Sequence, residues 1–204
     1  MGLRHRLSCA VQEDLGARLV TAGHREIPRP AWGSKDGFCS VGGPQPCDAG
    51  AIIDRVLIAE TVYRYAWAFD EHDRQLLAAC FWPDGRFVGS FMGTEDVGPF
   101  EGRDAIVDWL GGAMDLQLHQ RRHHVTNLVV DALTSTTATA GAFLHMTAVV
   151  DQEILAITAG FYRVAMEKDR DVWRIREMFA GFDRPFYMPD EVERAQHIEE
   201  TRLT

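Results

Sequence analysis

Cysteine is sparse in this chain of 204 residues: only Cys9, Cys39, Cys47 and Cys80 occur, three of them before residue 50 and none in a Cys-x-x-Cys pair. That spacing offers neither a zinc knuckle nor a disulfide framework, so reduced thiols are expected. Long apolar runs are missing too. No stretch reaches the roughly 18 residues a membrane helix needs, and Gln12, Glu13 and Asp14 interrupt the N-terminal apolar run too early for a secretory signal. Excess basic charge is the third absence. The 21 Lys and Arg are interspersed among 30 Asp and Glu, for a net charge of −9, so no basic stripe exists to neutralise phosphates. Nucleic acid and membrane are thereby set aside as partners, and a soluble cytoplasmic protein is expected. Motifs for phosphate cradles and acyl nucleophiles are lacking as well, with no G-x-G-x-x-G, no Walker lysine and no G-x-S-x-G elbow.

What is present begins with a change of character near residue 50. Residues 1–50 hold a short amphipathic piece around Val11 to Val20 and then PRPAWGSKDGFCSVGGPQPCDAG, dense in Gly and Pro. Such composition buries little apolar surface against its ordering entropy, and predicts a flexible tail or loosely docked arm. A single domain is expected over residues 51–187, with a short helical extension over 188–204 that starts at Pro189.

The longest helical pattern is IIDRVLIAETVYRYAWAFDEHD, Ile52 to Asp73. Ile52, Val56, Ala59, Tyr63, Ala66 and Asp70 recur at alternating spacings of four and three, which predicts one continuous face ending in a carboxylate. At that position burial and the negative helix end both oppose charge, the setting in which a general acid or base is tuned. Asp73 reads as the N-cap of the following RQLLAACF helix. After a turn at Pro83-Asp84-Gly85 a strand is predicted from Arg86 to Met92. A third helix follows at AIVDWLGGAM, with Gly111 and Gly112 fraying or bending its end.

From residue 121 the period changes from 3.6 to 2. Four strands are predicted, His123 to Asp131, Thr136 to Val150, Ile154 to Glu167 and Val172 to Phe182, joined by turns short enough to force an antiparallel meander. Helices first and strands afterwards predict an α+β fold with the helices on one face of a curved sheet. Apolar residues on both parities of the strands predict a homodimer through the other face.

Histidines open the meander. His123 and His124 are neighbours, so in a strand they face opposite sides, and periodicity does not say which looks inward. His145 stands in the apolar row of Phe143, Thr147 and Val149. A metal site is not expected: no His-x-x-x-His sits on a helix, and adjacent strand histidines diverge.

Several local words carry a resemblance: the RYAWAFDEHD helix end, the WPDGRF turn, the FEGRDAIVDWL helix start, the HHVTN strand and the late DVWRIREM strand. From about Ala51 to Pro185 the chain resembles the SnoaL-like, nuclear-transport-factor-2-like superfamily, nearest the scytalone dehydratase and bile-acid dehydratase branch. The resemblance implies a cone-shaped, strongly curved antiparallel sheet wrapped around about three helices, the cystatin-like α+β barrel, with a pocket inside. It implies a catalytic pair of Asp70 and His124, with His123 in reserve, His145 as a further candidate and Tyr65 orienting a substrate oxygen. On an ideal helix Tyr65 and Asp70 are about 140° apart, so a shared site requires the helix to end or bend there. Phe69 stands where scytalone dehydratase has a tyrosine, and Val149 where its second histidine falls. The implied chemistry is a cofactor-independent lyase or isomerase acting on a small hydrophobic, cyclic or polyketide-like molecule. Trp67, Phe87, Phe91, Trp109, Met114, Phe143 and Phe161 are the expected pocket lining. The same superfamily implies an alternative, a binding or scaffold module such as the small subunit of a ring-hydroxylating oxygenase.

Overall fold

The computed structural model describes residues 41–45, 47–93, 95–185 and 190–191. The chain divides between Ala31 and Trp32 into two units, and every described residue belongs to the second. Most of the expected tail, and the expected C-terminal helix beyond the helical pair Asp190 and Glu191, lie outside the described residues.

Among the described residues there are three helices, two of which start where a side chain satisfies a free backbone donor. α1 (Ala49–Asp70) starts at Asp48, whose carboxylate accepts from the Ala51 N–H at 2.8 Å. α2 (Arg74–Cys80) starts at Asp73, which accepts from the Leu76 N–H at 2.8 Å, in agreement with the sequence reading. α3 spans Arg103–Leu116. The strands are β1 (Phe81–Phe91), β2 (Glu95–Glu101), β3 (Gln120–Asp131), β4 (Thr137–Val150), β5 (Glu153–Asp169) and β6 (Val172–Phe182).

The sheet runs β2-β1-β6-β5-β4-β3, and β3 to β6 are the expected antiparallel meander. β1 joins β6 in parallel, so the sheet is mixed; it is curved and does not close. Period-2 burial marks its inner face, as in β4, where Ala138, Ala140, Ala142, Leu144, Met146 and Ala148 are buried while Phe143, His145 and Val149 face out. At Gly160 the backbones press close: an added Cβ would meet the Gly181 carbonyl oxygen at 2.0 Å. No helix among the described residues is long and apolar enough to cross a membrane.

Three expectations need correction. α1 buries Ile58, Val62, Tyr65, Ala66, Ala68, Phe69 and Asp70, whereas Ile52, Val56 and Tyr63 are exposed. The helix carries two apolar stripes, and periodicity does not tell which one meets the sheet. β2 has no counterpart in the sequence reading because EDVGPFE looks like a loop. At a sheet edge, however, Pro99 needs no partner for its missing N–H. α3 continues through Gly111 and Gly112 without a break. Gly111 is small because an added Cβ would lie 2.6 Å from the Arg74 guanidinium, which reaches across to Asp115 at 2.7 Å.

Candidate active site

The last turn of α1 packs on the start of β3, and this contact decides the histidine parity. His123 lies opposite Met146 on the inner face; His124 lies opposite His145 on the outer face. Asp70 Oδ2 accepts from the His123 backbone N–H at 2.7 Å, and Asp70 Oδ1 lies 2.5 Å from His123 Nδ1. Both side chains are nearly withdrawn from water, at 8% and 4% exposure. The carboxylate therefore fixes the ring and its Nδ1–H tautomer, and Nε2 is the ring nitrogen left for other chemistry.

The expected pairing of Asp70 with His124 is thus corrected to His123. His124 Nε2 instead meets Thr147 Oγ1 at 3.1 Å, and its ring stands 5.8 Å from that of His145. Both outer histidines are exposed and take no part in the interior site. Neighbouring strand residues must face opposite ways, so once α1 captures His123 the other two are committed outward.

Tyr65 is inside, and it shares the site with Tyr162, which the sequence reading did not single out. Their rings meet edge to face at 5.7 Å, and a side-chain hydrogen bond links the hydroxyls. Burial raises the pKa of Tyr65, and the neighbouring Cys80 and Asp70 act in the same direction; burial likewise raises that of Tyr162, helped by Tyr65 and Asp70. Both remain neutral donors in ordinary buffers. The 140° between Tyr65 and Asp70 needs no bend, because Tyr65, Ala66, Ala68, Phe69 and Asp70 are all buried and the helix end is enclosed on several sides. Tyr162 shares its inward parity with Val164 and Met166, which was its only signal in the sequence.

A cavity of about 20 Å³ lies among these residues, walled by Tyr65, Phe69, Phe87, Trp109, His123 and Tyr162. It has room for a single water molecule. Phe69 packs edge-on against the His123 ring at 5.2 Å, and Trp109 is sandwiched between Phe100 at 4.6 Å and Phe87 at 5.5 Å.

Of the expected lining, Phe87 and Trp109 are in place and the rest are not. Met114 is plain core, and Phe91 stacks on Phe182 at 5.5 Å without reaching the cavity wall. Trp67 is 67% exposed, on the far side of α1, and Phe143 is 53% exposed on the outer sheet face. Phe161 shares that outer parity, stacked on Phe179 at 5.8 Å. Aromatic character does not reveal which face of an element a residue occupies, and tertiary packing sorted these.

Next to the site, Arg121 shares the inward parity of His123, and its guanidinium pairs with the Glu191 carboxylate. Each side chain is only 1% exposed. Glu191 Oε1 also accepts from the Leu118 N–H at 3.2 Å, and Asp190 meets His119 at 2.8 Å, so Asp190 and Glu191 are tied down here. Among the described residues, no group of three or more His, Cys, Asp or Glu is arranged to hold a metal ion.

A family model described as a SnoaL-like domain matches residues 51–178. The chain belongs to the SnoaL-like family. Curated protein sequences gave no match to it. Among solved structures, this SnoaL-like chain is similar to a Mycobacterium tuberculosis protein of unknown function, at 20% identity and TM-score 0.59, over 73% of this chain and 88% of that one. A candidate scytalone dehydratase from Novosphingobium aromaticivorans is similar at 20% identity and TM-score 0.55, over 68% and 91%. So is the beta subunit of a candidate aromatic-ring-hydroxylating dioxygenase from the same organism, at 15% identity and TM-score 0.58, over 66% and 92%. At these identities the likeness is one of fold.

Proposed function

We propose that this SnoaL-like protein is a soluble, cytoplasmic, cofactor-independent lyase of the dehydratase type, or an isomerase, acting on a small hydrophobic cyclic or polyketide-like molecule. The supporting observation is the buried Asp70–His123 contact, with Nδ1 of the imidazole held by carboxylate and Nε2 left beside a cavity. In this reading His123 Nε2 removes a proton from the carbon alpha to a carbonyl, and Asp70 stabilises the imidazolium that forms. A hydroxyl of the Tyr65–Tyr162 pair donates to the developing enolate oxygen. For a dehydration, Nε2 then returns the proton to the β-hydroxyl, the C–O bond breaks and water leaves as the double bond forms. For an isomerisation the same proton returns to another carbon.

One observation favours a second reading, that of a binding or scaffold module: the cavity, at about 20 Å³, is almost filled by its own walls. A ring-sized substrate requires Phe69, Trp109 or Phe182 to swing aside. Proton exchange separates the two readings without knowledge of the natural substrate. Small cyclic ketones such as 1-tetralone, incubated in deuterated buffer, should exchange their alpha protons faster with the protein than without it, as read by nuclear magnetic resonance. His123→Gln should lower that acceleration about 10²–10⁴-fold while circular dichroism stays unchanged. No acceleration, and no thermal shift, across a panel of such ketones would favour the binding module.

A further inference from the structure

Among the described residues, the helix α1 that supplies Asp70 has a second apolar stripe without a partner. Ile52 is 55% exposed, Val56 61%, Tyr63 48% and Trp67 67%. At about 100° per residue these four fall within roughly 60° of one another, well away from the buried stripe of Ile58, Val62, Tyr65 and Phe69. Their spacing reads the same in both directions. Trp67 lies as far after the Ala59–Glu60 peptide as Ile52 lies before it, and Tyr63 mirrors Val56 in the same way.

We propose that this stripe is a two-fold interface, on which α1 of a second copy of the chain packs antiparallel about the Ala59–Glu60 midpoint. A two-fold contact must be self-complementary, and a palindromic stripe meets that requirement. Ile52 of one copy meets Trp67 of the other and Val56 meets Tyr63, so each large ring faces a branched aliphatic side chain. The small Ala59 at the crossing lets the helices approach closely. Glu60 stands beside the crossing, at the edge of the stripe, and is paired with Arg64 of its own chain at 2.6 Å. With Ile53 alongside, also 59% exposed, the stripe offers on the order of 500 Å² of apolar side chain per copy. The total of about 1,000 Å² is near the lower limit of specific interfaces.

The outer sheet face fits a second copy less well. Its apolar Phe143, Val149, Phe161 and Phe179 are interleaved with His124, His145, Arg163 and Glu177, which burial would have to desolvate. Asp70 continues this face at the helix end but is buried against His123, and none of Ile52, Val56, Tyr63 and Trp67 takes part in the interior site, so the inference stands apart from the proposed chemistry.

Light scattering on the full chain at micromolar concentration provides the test. The chain should be a dimer, Val56→Glu and Tyr63→Glu should each give monomer, and Phe143→Glu should remain dimeric. All three positions are exposed, and circular dichroism checks that each variant is folded. With Cys9, Cys39 and Cys47 replaced by Ser, Ala59→Cys should form an intermolecular disulfide under a mild oxidant. A monomeric full chain overturns the proposal, as does a dimer that survives both glutamate substitutions but is lost in Phe143→Glu.

Discussion

Asp70 makes both of its contacts to a single residue, His123, and this reverses what the sequence alone leads one to expect of Asp70→Asn. At the negative end of a helix, a neutral amide looks harmless or stabilising. The structure shows a carboxylate whose two oxygens are occupied by the backbone N–H and the ring Nδ1 of His123. Asn can keep only one of these acceptor roles and turns an N–H toward the ring, so chemical denaturation should show a loss of about 1–3 kcal/mol. Exposed His124→Gln should change stability by less than about 0.5 kcal/mol. The Arg121–Glu191 pair is a second residue-scale commitment, because each charge is buried against the other. Glu191→Ala removes the carboxylate partner of a buried guanidinium and should cost about 3–5 kcal/mol, seen as a large drop in melting temperature.

Among elements, α3 shows how two adjacent glycines have opposite meanings. Both weaken a helix through backbone entropy, so the sequence reads them alike. In the structure Gly111 is buried under Arg74, where a Cβ would stand 2.6 Å from the guanidinium, whereas Gly112 is exposed and has nothing within 4 Å. Gly112→Ala should therefore raise stability by about 0.5–1 kcal/mol. Gly111→Ala should forfeit that gain by pushing Arg74 off Asp115, and thermal melts should show a rise for Gly112→Ala and none for Gly111→Ala. The same limit applies to α1 and β3. An apolar period shows that an element has a face, and a second period of similar strength, or a neighbour of opposite parity, leaves open which face is inner.

At the scale of the whole molecule, three acidic groups among the described residues are locked in the core in their neutral forms. Burial, against the pull of Arg64, pushes the Cys80 thiol up to about 12, and burial raises Tyr65 and Tyr162 as well. Above the ordinary thiol and phenol range the unfolded chain releases these protons while the native chain retains them, so unfolding becomes easier as pH rises. The melting temperature should be insensitive to these groups below about pH 8 and should fall from about pH 9 upward. Cys80→Ala should soften that fall. What the sequence determined is what depends on neighbours along the chain: the Asp73 cap, the length of α1, the switch to period 2 at residue 121, the four-strand meander and the candidacy of Asp70 beside a histidine pair. What the tertiary structure alone decided is absolute orientation: His123 rather than His124, the Ile58 stripe rather than the Ile52 stripe, Tyr162 inside and Trp67 outside, and the parallel joining of β1 to β6. Local spacing repeats identically whichever way an element is turned. Only the docking of α1 on β3, distant in sequence, provides the inside against which each side chain is sorted.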